Sequence, residues 1–415
     1  MTVIVFEDSG FRTLLPLTYW RPVFELRCGR LSLLEKIRQR KGMQHPIVFV
    51  RPELADIVQE HSELQVNPDL RELKGEVLLV NGRWLADGDL PELEPDSYLY
   101  KGEAVAAARL SEPMARLLTS NVLAHQDLRR TVFSTLKAVA AGPEVKLVNY
   151  PWDLIVHNPA ELLRECNDGV KGAGVHSAVH LIGEKAIHIG ESCRIMPGVV
   201  IDAEEGPVWI DDRVKIGANA VIQGPCCIGP GSVVQPMAII RENTSIGRVC
   251  KVGGEIDASI IHAYSNKQHH GFLGHSYVGE WVNIGAGSVS SDLKNTYGKI
   301  TTSLDGHDEI NTGLMFLGLV IGDHSKVGIN VCFGSGSVVG TCSSVILSHI
   351  PPKFVGSFRW LTDQVQTDYD AAQAAEVARR MMARRNLTLS DSVARFFQAL
   401  PEIVKKYERR QAASA

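Results

Sequence analysis

A repeat of six residues runs through the second half of the sequence and constrains the fold more than any other feature. Eight aliphatic residues occupy one phase of this repeat, namely Ile210, Ile216, Ile222, Ile228, Val234, Ile240, Ile246 and Val252. The same step occurs upstream at Ile189, Ile195 and Ile201, and it returns downstream at Val278, Ile284 and from Ile321 to Val345. A period of six matches neither an α-helix nor a simple amphipathic strand. It is typical of a solenoid in which each hexapeptide forms one flat face and its aliphatic residue points inward.

The first part of the chain, residues 1–165, alternates strand-like and helix-like segments. Short β-branched runs occupy residues 3–6, 46–50, 76–80 and 145–150, and helical spacing occupies residues 31–40 and 111–141. This alternation predicts an α/β sheet with helices on its faces. The N-terminal run reads as a buried first strand rather than a signal peptide, because acidic residues follow it at once and no basic segment precedes it.

The sequence predicts three parts: an α/β domain over residues 1–165, a β-helix over 175–352, and an arm with a helical tail over 353–415. Pro351-Pro352 ends the repeats. The tail is predicted to contain a helix over 367–385 and a second helix that starts at a Thr388-x-x-Asp391 capping box. An apolar stripe on the second helix indicates a docking face, formed by Val393, Phe396, Phe397, Leu400, Ile403, Val404 and Tyr407.

Bulk composition excludes several classes of protein. The 415-residue chain has a formal net charge of −4 and no dense block of Lys and Arg, which argues against a nucleic-acid partner. No apolar run approaches the roughly 20 residues that a membrane span needs. The eight cysteines form no CxxC pair, so a reducing cytoplasm is the expected location.

Two motifs resemble known families. The hexapeptides resemble those of hexapeptide-repeat acyltransferases, which implies a left-handed parallel β-helix of about nine coils at a spacing of ~4.8 Å. The N-terminal segment resembles a divergent form of the sugar-nucleotide pyrophosphorylase signature. Its positions are filled here by Gly10, Arg12, Pro16-Leu17-Thr18, Arg21-Pro22 and Gly29. This second resemblance implies that Gly10, Arg12 and Arg21 bind a nucleotide, with Mg²⁺ as cofactor if the domain is active. Val23 stands where that family has a catalytic Lys, and Asn81-Gly82-Arg83 stands where it has a metal-binding Asp.

The whole chain resembles the sugar nucleotidyltransferases that carry a hexapeptide-repeat C-terminal domain. These are divergent relatives of the bifunctional N-acetylglucosamine-1-phosphate uridylyltransferase and glucosamine-1-phosphate acetyltransferase. The resemblance implies a cytoplasmic homotrimeric transferase. Acetyl-CoA would be the acyl donor to an amino-sugar phosphate, and nucleotidyl transfer to a sugar 1-phosphate would be a further activity of the first domain. The expected partners are therefore a sugar phosphate, a nucleotide sugar and an acyl-CoA.

Between Val252 and Val278 the six-residue rhythm fails, which predicts a loop between two runs of repeats. On the resemblance, this region and its flanks hold an acyl-transfer site with His269 as the catalytic base. The acceptor would contact Glu255, Phe272 and Asn283, and the acyl-CoA would contact Ala286, Gly287, Asp292, Lys353 and Arg359. Independently of the resemblance, imidazole is suited to take a proton from an attacking amine near neutrality. The Gly-rich segment 283–287 can present backbone N–H groups to a thioester oxyanion.

Three departures from the family pattern leave the acceptor open. Phe272 lacks a hydroxyl group, Asp257 stands in place of a Lys, and Gln235 stands in place of an Arg. A non-catalytic nucleotide-sugar sensor on a trimeric scaffold is therefore an alternative. A zinc enzyme of the carbonic-anhydrase type is another, with ligands drawn from His262, His269, His270 and His275. Because these histidines match no familiar ligand spacing, no metal site is expected among them.

Overall fold

The structure of the protein, a computed structural model, describes residues 1–124, 132–166 and 176–408. It divides into two compact units. Unit 1 comprises Met1–Leu14, Trp20–Leu26 and Leu31–Tyr150, and unit 2 comprises Leu15–Tyr19, Arg27–Arg30 and Pro151–Ala415. No helix in the described ranges combines the length and the hydropathy that are needed to cross a membrane.

The elements up to residue 150 are short, and most belong to a mixed sheet. The strands are β1 Thr2–Phe6, β2 Arg27–Cys28, β3 Leu31–Ser32, β4 Ile47–Phe49, β5 Val77–Asn81, β6 Ser97–Lys101, β7 Ala104–Leu110 and β8 Lys137–Ala140. The helices are α1 Leu33–Arg38, α2 Ala55–His61, α3 Glu112–Ala115 and α4 Ser120–Leu123, with 3-10 turns at Ser9–Leu14, Val23–Glu25 and Pro52–Leu54. A capping box starts α1, because the Ser32 hydroxyl accepts from the Glu35 N–H and the Glu35 carboxylate accepts from the Ser32 N–H.

The sheet of unit 1 has the order β4-β1-β5-β7-β6-β8. Strand β1 runs parallel to β4 and β5, while β7 is antiparallel to both of its neighbours. The predicted α/β class is confirmed. Residues 145–150 are not a strand, because their backbone bonds go to the irregular segment 83–85. The predicted long helix over 111–141 is also wrong in its described part, which contains two single-turn helices and the edge strand β8.

Unit 2 contains the helix α5 Pro151–Glu165 and then a solenoid with three faces. Face A is the nine-stranded sheet β10 Ile187–Ile189, β13 Val208–Ile210, β16 Cys226–Ile228, β19 Thr244–Ile246, β22 Ile260–Ile261, β25 Tyr277–Val278, β30 Val320–Ile321, β33 Val338–Val339 and β35 Phe354–Val355. Face B is the ten-stranded sheet β11 Arg194–Ile195, β14 Lys215–Ile216, β17 Val233–Val234, β20 Lys251–Val252, β23 Asn266–Lys267, β26 Asn283–Ile284, β31 Lys326–Val327, β34 Ser344–Ile346, β36 Arg359–Thr362 and β37 Gln366–Asp368. Face C is the eight-stranded sheet β9 His180–Ile182, β12 Val200–Asp202, β15 Val221–Gln223, β18 Ile239–Ile240, β21 Glu255–Asp257, β24 Phe272–Gly274, β27 Val289–Ser290 and β32 Cys332–Phe333.

The inward residues of the solenoid are the ones that the six-residue period selects. All eight aliphatic residues from Ile210 to Val252 are 0% exposed. They stack in register along each face, for example Ile210 on Ile228 and Ile228 on Ile246. Because each coil alone would leave these side chains in water, the stacking supplies the core, and the predicted parallel β-helix is confirmed.

The corners of the solenoid need left-handed backbone. One corner residue per coil has a positive φ on the edge between faces A and B, as at Tyr264 (54°), Trp281 (58°) and His324 (60°). The rings of Tyr264 and Trp281 stack with centroids 4.4 Å apart, and Trp281 stacks in turn on His324. Trp281 therefore packs along an edge of its own coil stack.

The predicted loop between Val252 and Val278 is wrong, because the coils continue through it. Strands β21 to β25 keep parallel pairing with the coils on either side. Ile228 pairs with Ile246, whereas Ile246 pairs with Ile261. The coil from Ile246 to Ile261 is therefore shorter than the one before it, so the phase of the six-residue repeat shifts although the fold continues. The true excursion lies later, in the segment 291–319 between faces C and A, which is called the insert below. It contains the antiparallel pair β28 Thr301–Thr302 and β29 Ile310–Asn311.

The tail follows the last coil as two helices, α6 Ala371–Ala383 and α7 Asp391–Tyr407. Helix α7 is capped by Ser390, whose hydroxyl accepts from the Val393 N–H, and not by the predicted Thr388. The predicted docking stripe is buried, with Phe397 and Leu400 both 0% exposed. The stripe packs against the solenoid, where Phe397 meets His324 edge-on at 5.0 Å. The 3-10 turn Glu184–Ala186 completes the described helical elements.

Candidate functional site

One corner of the solenoid gathers several of the predicted site residues. Here the turns 268–271 and 285–288 pass from face B to face C in successive coils, and together they are called the histidine corner. The Gly287 N–H donates to the His270 carbonyl oxygen at 3.1 Å, so the two turns lie directly on one another. Gly287 has φ +73°, and a Cβ there would collide with the Asn330 side chain of the next coil. The left-handed backbone and this close approach favour glycine at position 287.

His269 lies on the outer side of the histidine corner and is exposed. Its Nε2 atom is 3.4 Å from the Gln268 side-chain nitrogen. No carboxylate of the described ranges pairs with it. The histidine is therefore accessible to a ligand, while its backbone carbonyl group is held by Lys267.

Lys267 is a buried lysine that the sequence analysis missed. It occupies an inward position of face B, paired with Val252, and is 2% exposed. Its Nζ atom donates to the carbonyl oxygens of His269 at 2.7 Å and His270 at 3.3 Å. Burial lowers the pKa of this lysine to about 8. Ile261 is an inward residue, and one six-residue step from it reaches residue 267. This spacing is the sequence signal that predicts an inward position for Lys267.

Face C carries two of the three predicted acceptor residues. Glu255 and Phe272 are direct cross-strand partners on β21 and β24. The neighbouring coil adds Arg241, whose Nε donates to the Glu255 carboxylate at 2.6 Å. This pairing raises the pKa of Arg241. Sequence reasoning missed Arg241, which places a cation beside face C, the face on which Asp257 stands in place of a Lys.

The third predicted acceptor residue, Asn283, lies on face B. Its side chain neighbours Asn266 at 3.4 Å, and Arg385 from the tail donates to Asn266 at 2.8 Å. Strand register places Asn283 between Asn266 and Lys326. A single chain therefore presents Asn283 on a different face from Glu255 and Phe272.

Asp292 belongs to a second group at the corner where face C turns into face A. Asp257, His275 and Asp292 come from three successive coils and are called the acid–histidine cluster. The His275 Nδ1 and an Asp292 carboxylate oxygen are 2.8 Å apart. Burial raises the pKa of Asp257. The ring of Phe316, from the insert, stacks on His275 at 5.1 Å. Sequence reasoning considered His275 only among the four histidines of the zinc alternative and did not join it to Asp257 and Asp292, because three coils must be stacked before the cluster exists.

Two cations, Lys353 and Arg359, were predicted to bind acyl-CoA. In the structure they contact other parts of unit 2. The Nζ of Lys353 lies 3.5 Å from the Thr301 hydroxyl in the insert, and burial together with nearby Lys294 lowers its pKa. Arg359 pairs with Asp368 at 2.6 Å across the β36–β37 hairpin. The structure brings neither of them into hydrogen-bond contact with Ala286 or Gly287.

In unit 1, the predicted nucleotide loop lies against an internal ion pair. The Gly10 N–H donates to the Asp8 carboxylate at 3.0 Å, and a Cβ at Gly10 would collide with the guanidinium of Arg83. Arg83 donates to both oxygens of Asp8, at 2.7 and 2.6 Å, and to Asn149 at 2.5 Å. Arg12 is exposed, whereas Arg21 is 5% exposed. The Gly10 loop is thus filled by a side chain of the protein itself.

The acidic residues of this region do not fit a divalent cation. Asp8 is neutralised by Arg83, as described above, and Asp87 is paired with Lys146. A third acid, Asp89, is 3.7 Å from Arg40. Because each of these carboxylates already has a protein cation, Mg²⁺ would have to displace an ion pair in order to bind.

Comparison with known families identifies both halves of the chain. Residues 3–171 match the family described as sugar nucleotidyl transferase, and residues 207–242 match the bacterial transferase hexapeptide, six repeats of it. The first part of the chain is thus similar to sugar nucleotidyl transferases, and the solenoid contains hexapeptide repeats of the bacterial transferase type. Both family descriptions name transferases, which agrees with the resemblance drawn from the sequence.

Curated relatives extend this result. The chain is 29% identical over 167 residues to the bifunctional protein GlmU of Synechococcus sp. (strain CC9311), covering 40% of this chain and 34% of the relative. It is 30% identical over 181 residues to GlmU of Acidithiobacillus ferrooxidans, covering 39% and 36%. The GlmU protein of Thermotoga maritima is 31% identical over 175 residues, covering 40% and 34%. The chain spans about a third of the length of the curated relatives it matches.

Two solved structures that match the chain are more distant. A UDP-N-acetylglucosamine acyltransferase of Arabidopsis is 10% identical with a TM-score of 0.28, covering 57% of this chain and 99% of that chain. The enzyme of the same name from Campylobacter jejuni is 11% identical with a TM-score of 0.23, covering 57% and 92%. TM-scores this low support no conclusion about function.

Proposed function

We propose that the solenoid transfers an acyl group from acetyl-CoA or a similar acyl-CoA to an amino-sugar phosphate, with His269 as the base. The observation that carries this proposal is the histidine corner, where an accessible histidine stands one coil away from the half-buried glycine turn with Ala286 and Gly287. The amine nitrogen would attack the thioester carbonyl carbon, forming a C–N bond while the C–S bond breaks. His269 would accept the amine proton and return it to the leaving thiolate.

Face C would hold the acceptor sugar. Arg241 offers a guanidinium beside Glu255, so a phosphate and an amino or hydroxyl group could be bound side by side. Phe272 would pack against the sugar ring. Ala286, Gly287 and Asp292 would contact the acyl-CoA, with Lys353 and Arg359 near its phosphates if the arm rearranges. In this proposal residues 175–352 carry acyl transfer and residues 353–415 form the arm and tail.

The assembly proposed for this reaction is a homotrimer. Asn283 lies on face B, away from Glu255 and Phe272, so a second copy of the chain is needed to bring all three predicted acceptor residues to one ligand. The cytoplasm is the proposed location. All eight cysteines are free thiols, which suits a reducing compartment.

A turnover assay tests the acyl-transfer proposal. The purified chain is incubated with acetyl-CoA and a panel of amino-sugar phosphates, and thiol release is followed. We expect His269→Ala to lose about 10²-fold or more in kcat, the usual contribution of a general base. His270→Ala is the matched control, since it lies in the same exposed turn and has no proposed role. Equal rates for His269→Ala and the wild type, or no turnover of any acceptor, would contradict the proposal.

For residues 1–165, we propose binding of a nucleotide sugar through Gly10, Arg12 and Arg21, with nucleotidyl transfer as the further activity. The closed Asp8–Arg83 pair favours binding without turnover, which is the sensor alternative. A pyrophosphate-release assay with Mg²⁺, nucleoside triphosphates and sugar 1-phosphates tests turnover. A thermal-shift series with nucleotide sugars tests binding, and Arg12→Ala should abolish the shift while the exposed Arg71→Ala should not.

A further inference from the structure

The acid–histidine cluster has the arrangement of a binding site. Asp257 ends β21, His275 follows β24, and Asp292 comes two residues after β27, so each of three successive coils contributes one side chain. One ligand atom from each residue lies within 4.8 Å of the other two. The His275 Nδ1 and the Asp292 carboxylate are 2.8 Å apart, with side chains 28% and 14% exposed.

The two carboxylates of the cluster form no ion pair with a Lys or Arg of the described residues. His275 is the cluster's own basic group. The nearest arginine, Arg241, pairs with Glu255 instead, at 2.6 Å. Beyond the cluster itself, the charged groups that influence Asp257 are Glu242 and Arg241. Two carboxylates this close, partly removed from water, need a proton or a cation between them.

The backbone holds the three side chains in place before any ligand arrives. The His275 N–H donates to the Asp257 carbonyl oxygen at 3.0 Å, which joins the first two coils. The insert is tied to the same corner, because the N–H groups of Leu317 and Gly318 donate to the carbonyl oxygens of Asp292 and His275, each at 2.9 Å. Phe316 covers one side of the imidazole. Such a preorganised set binds a ligand with little ordering cost.

We propose that Asp257, His275 and Asp292 bind one first-row divalent transition-metal ion of the zinc type. A donor set of one imidazole nitrogen and two carboxylate oxygens suits Zn²⁺, Co²⁺ or Mn²⁺ better than Mg²⁺ or Ca²⁺, which prefer oxygen alone. Three protein ligands leave at least one coordination position for water or another ligand. This site differs from a four-histidine zinc site of the carbonic-anhydrase type, because His262 pairs with Glu280 and His269 lies at another corner.

Metal titration of the full chain tests the site without an activity assay, so its outcome is independent of the acyl-transfer proposal. All proteins carry Cys332→Ser, which removes the exposed thiol. The chain is stripped with chelator, dialysed and titrated with Co²⁺ by visible absorption, and with Zn²⁺ by calorimetry. We expect one ion per chain, with Zn²⁺ displacing Co²⁺. A chain that takes up neither ion overturns the proposal.

Variants locate the ion. Asp257→Asn keeps the side-chain shape, and His275→Asn keeps a residue that tolerates the φ of 43° at that corner. Each should weaken binding by at least about tenfold. His262→Ala is the matched control, because His262 also pairs with a carboxylate, that of Glu280 at 3.0 Å, and lies outside the acid–histidine cluster. Unchanged binding in Asp257→Asn, or lost binding in His262→Ala, would place the ion elsewhere and overturn the assignment.

Discussion

Lys267 is a charged residue at a buried, inward position of the solenoid. It takes an inward place that aliphatic residues fill in the other coils, and it uses its ammonium group to hold the carbonyl oxygens of His269 and His270. Burial of a charge is costly, and the hydrogen bonds to these carbonyl oxygens offset part of that cost. The proposed base is thereby tied to the interior of the solenoid.

Replacement of Lys267 by Met should change how stability depends on pH. The pKa of Lys267 falls from 10.5 to about 8 on folding, so the unfolded chain binds more protons between these values. The contribution of Lys267 to stability should therefore rise as pH increases from 8 to 10.5, and Lys267→Met should remove that contribution. The buried thiols of Cys250 and Cys342, whose pKa values are raised by burial, act in the opposite direction, so the quantity to compare is the difference between the variant and the wild type at each pH. Burial lowers the pKa of Lys326 to about 8 as well, so this residue acts in the same direction as Lys267 and is unchanged in the variant. Urea unfolding from pH 7 to 10 measures this, and the exposed Lys215→Met variant should keep the wild-type slope.

We predict that Arg241 makes the site prefer a phosphorylated acceptor over an unphosphorylated one. If it binds a phosphate, Arg241→Gln should raise the KM for a phosphorylated amino sugar by about 10- to 100-fold, the size of a lost charge-assisted hydrogen bond. The KM for an unphosphorylated amino sugar should change little. The exposed Arg194→Gln serves as control. A loss of equal size with both acceptors would mean that Arg241 acts on the fold through Glu255.

At the level of the elements, the solenoid coils were predictable and their interruptions were not. The six-residue period identified the inward aliphatic residues, because each must be buried by its neighbours. It failed between Val252 and Val278, where a shortened coil keeps the strands but moves the phase. In unit 1, residues 145–150 have strand composition, yet pair only with an irregular segment, so β propensity was overridden by tertiary context.

The inward aliphatic residues should carry most of the solenoid's stability. Ile222 is 0% exposed, and Ile222→Ala removes buried methylene groups and leaves a cavity between fixed coils. We expect a loss of about 2–5 kcal/mol in the free energy of unfolding. Met237, at the corner of the next coil, is 73% exposed, and Met237→Ala should stay within about 0.5 kcal/mol of the wild type. Urea denaturation measures the free energy of unfolding of both variants. Equal losses in the two variants would mean that packing between coils is not the source of the solenoid's stability.

At the scale of the whole molecule, the proposed trimer can be tested by mixing subunits. His269→Ala and Asn283→Ala should each be inactive alone. If His269 and Asn283 of neighbouring copies share a site, co-assembled variants should recover a fraction of the activity. Light scattering should give three times the chain mass of 45.4 kDa. Mixed assemblies that stay as inactive as the separate variants would place both residues in a site within one chain.

Sequence patterns predict the solenoid, the α/β class of the first domain and the docking stripe of α7, because each follows from periodic burial of apolar side chains. They also indicate His269 and the glycines of the histidine corner. Three contacts emerge only once the chain is folded: Arg83 fills the Gly10 loop, Lys267 lies inside the solenoid, and Asp257, His275 and Asp292 meet. Those contacts join residues far apart in the chain, and they depend on the register between coils, which local sequence patterns do not encode.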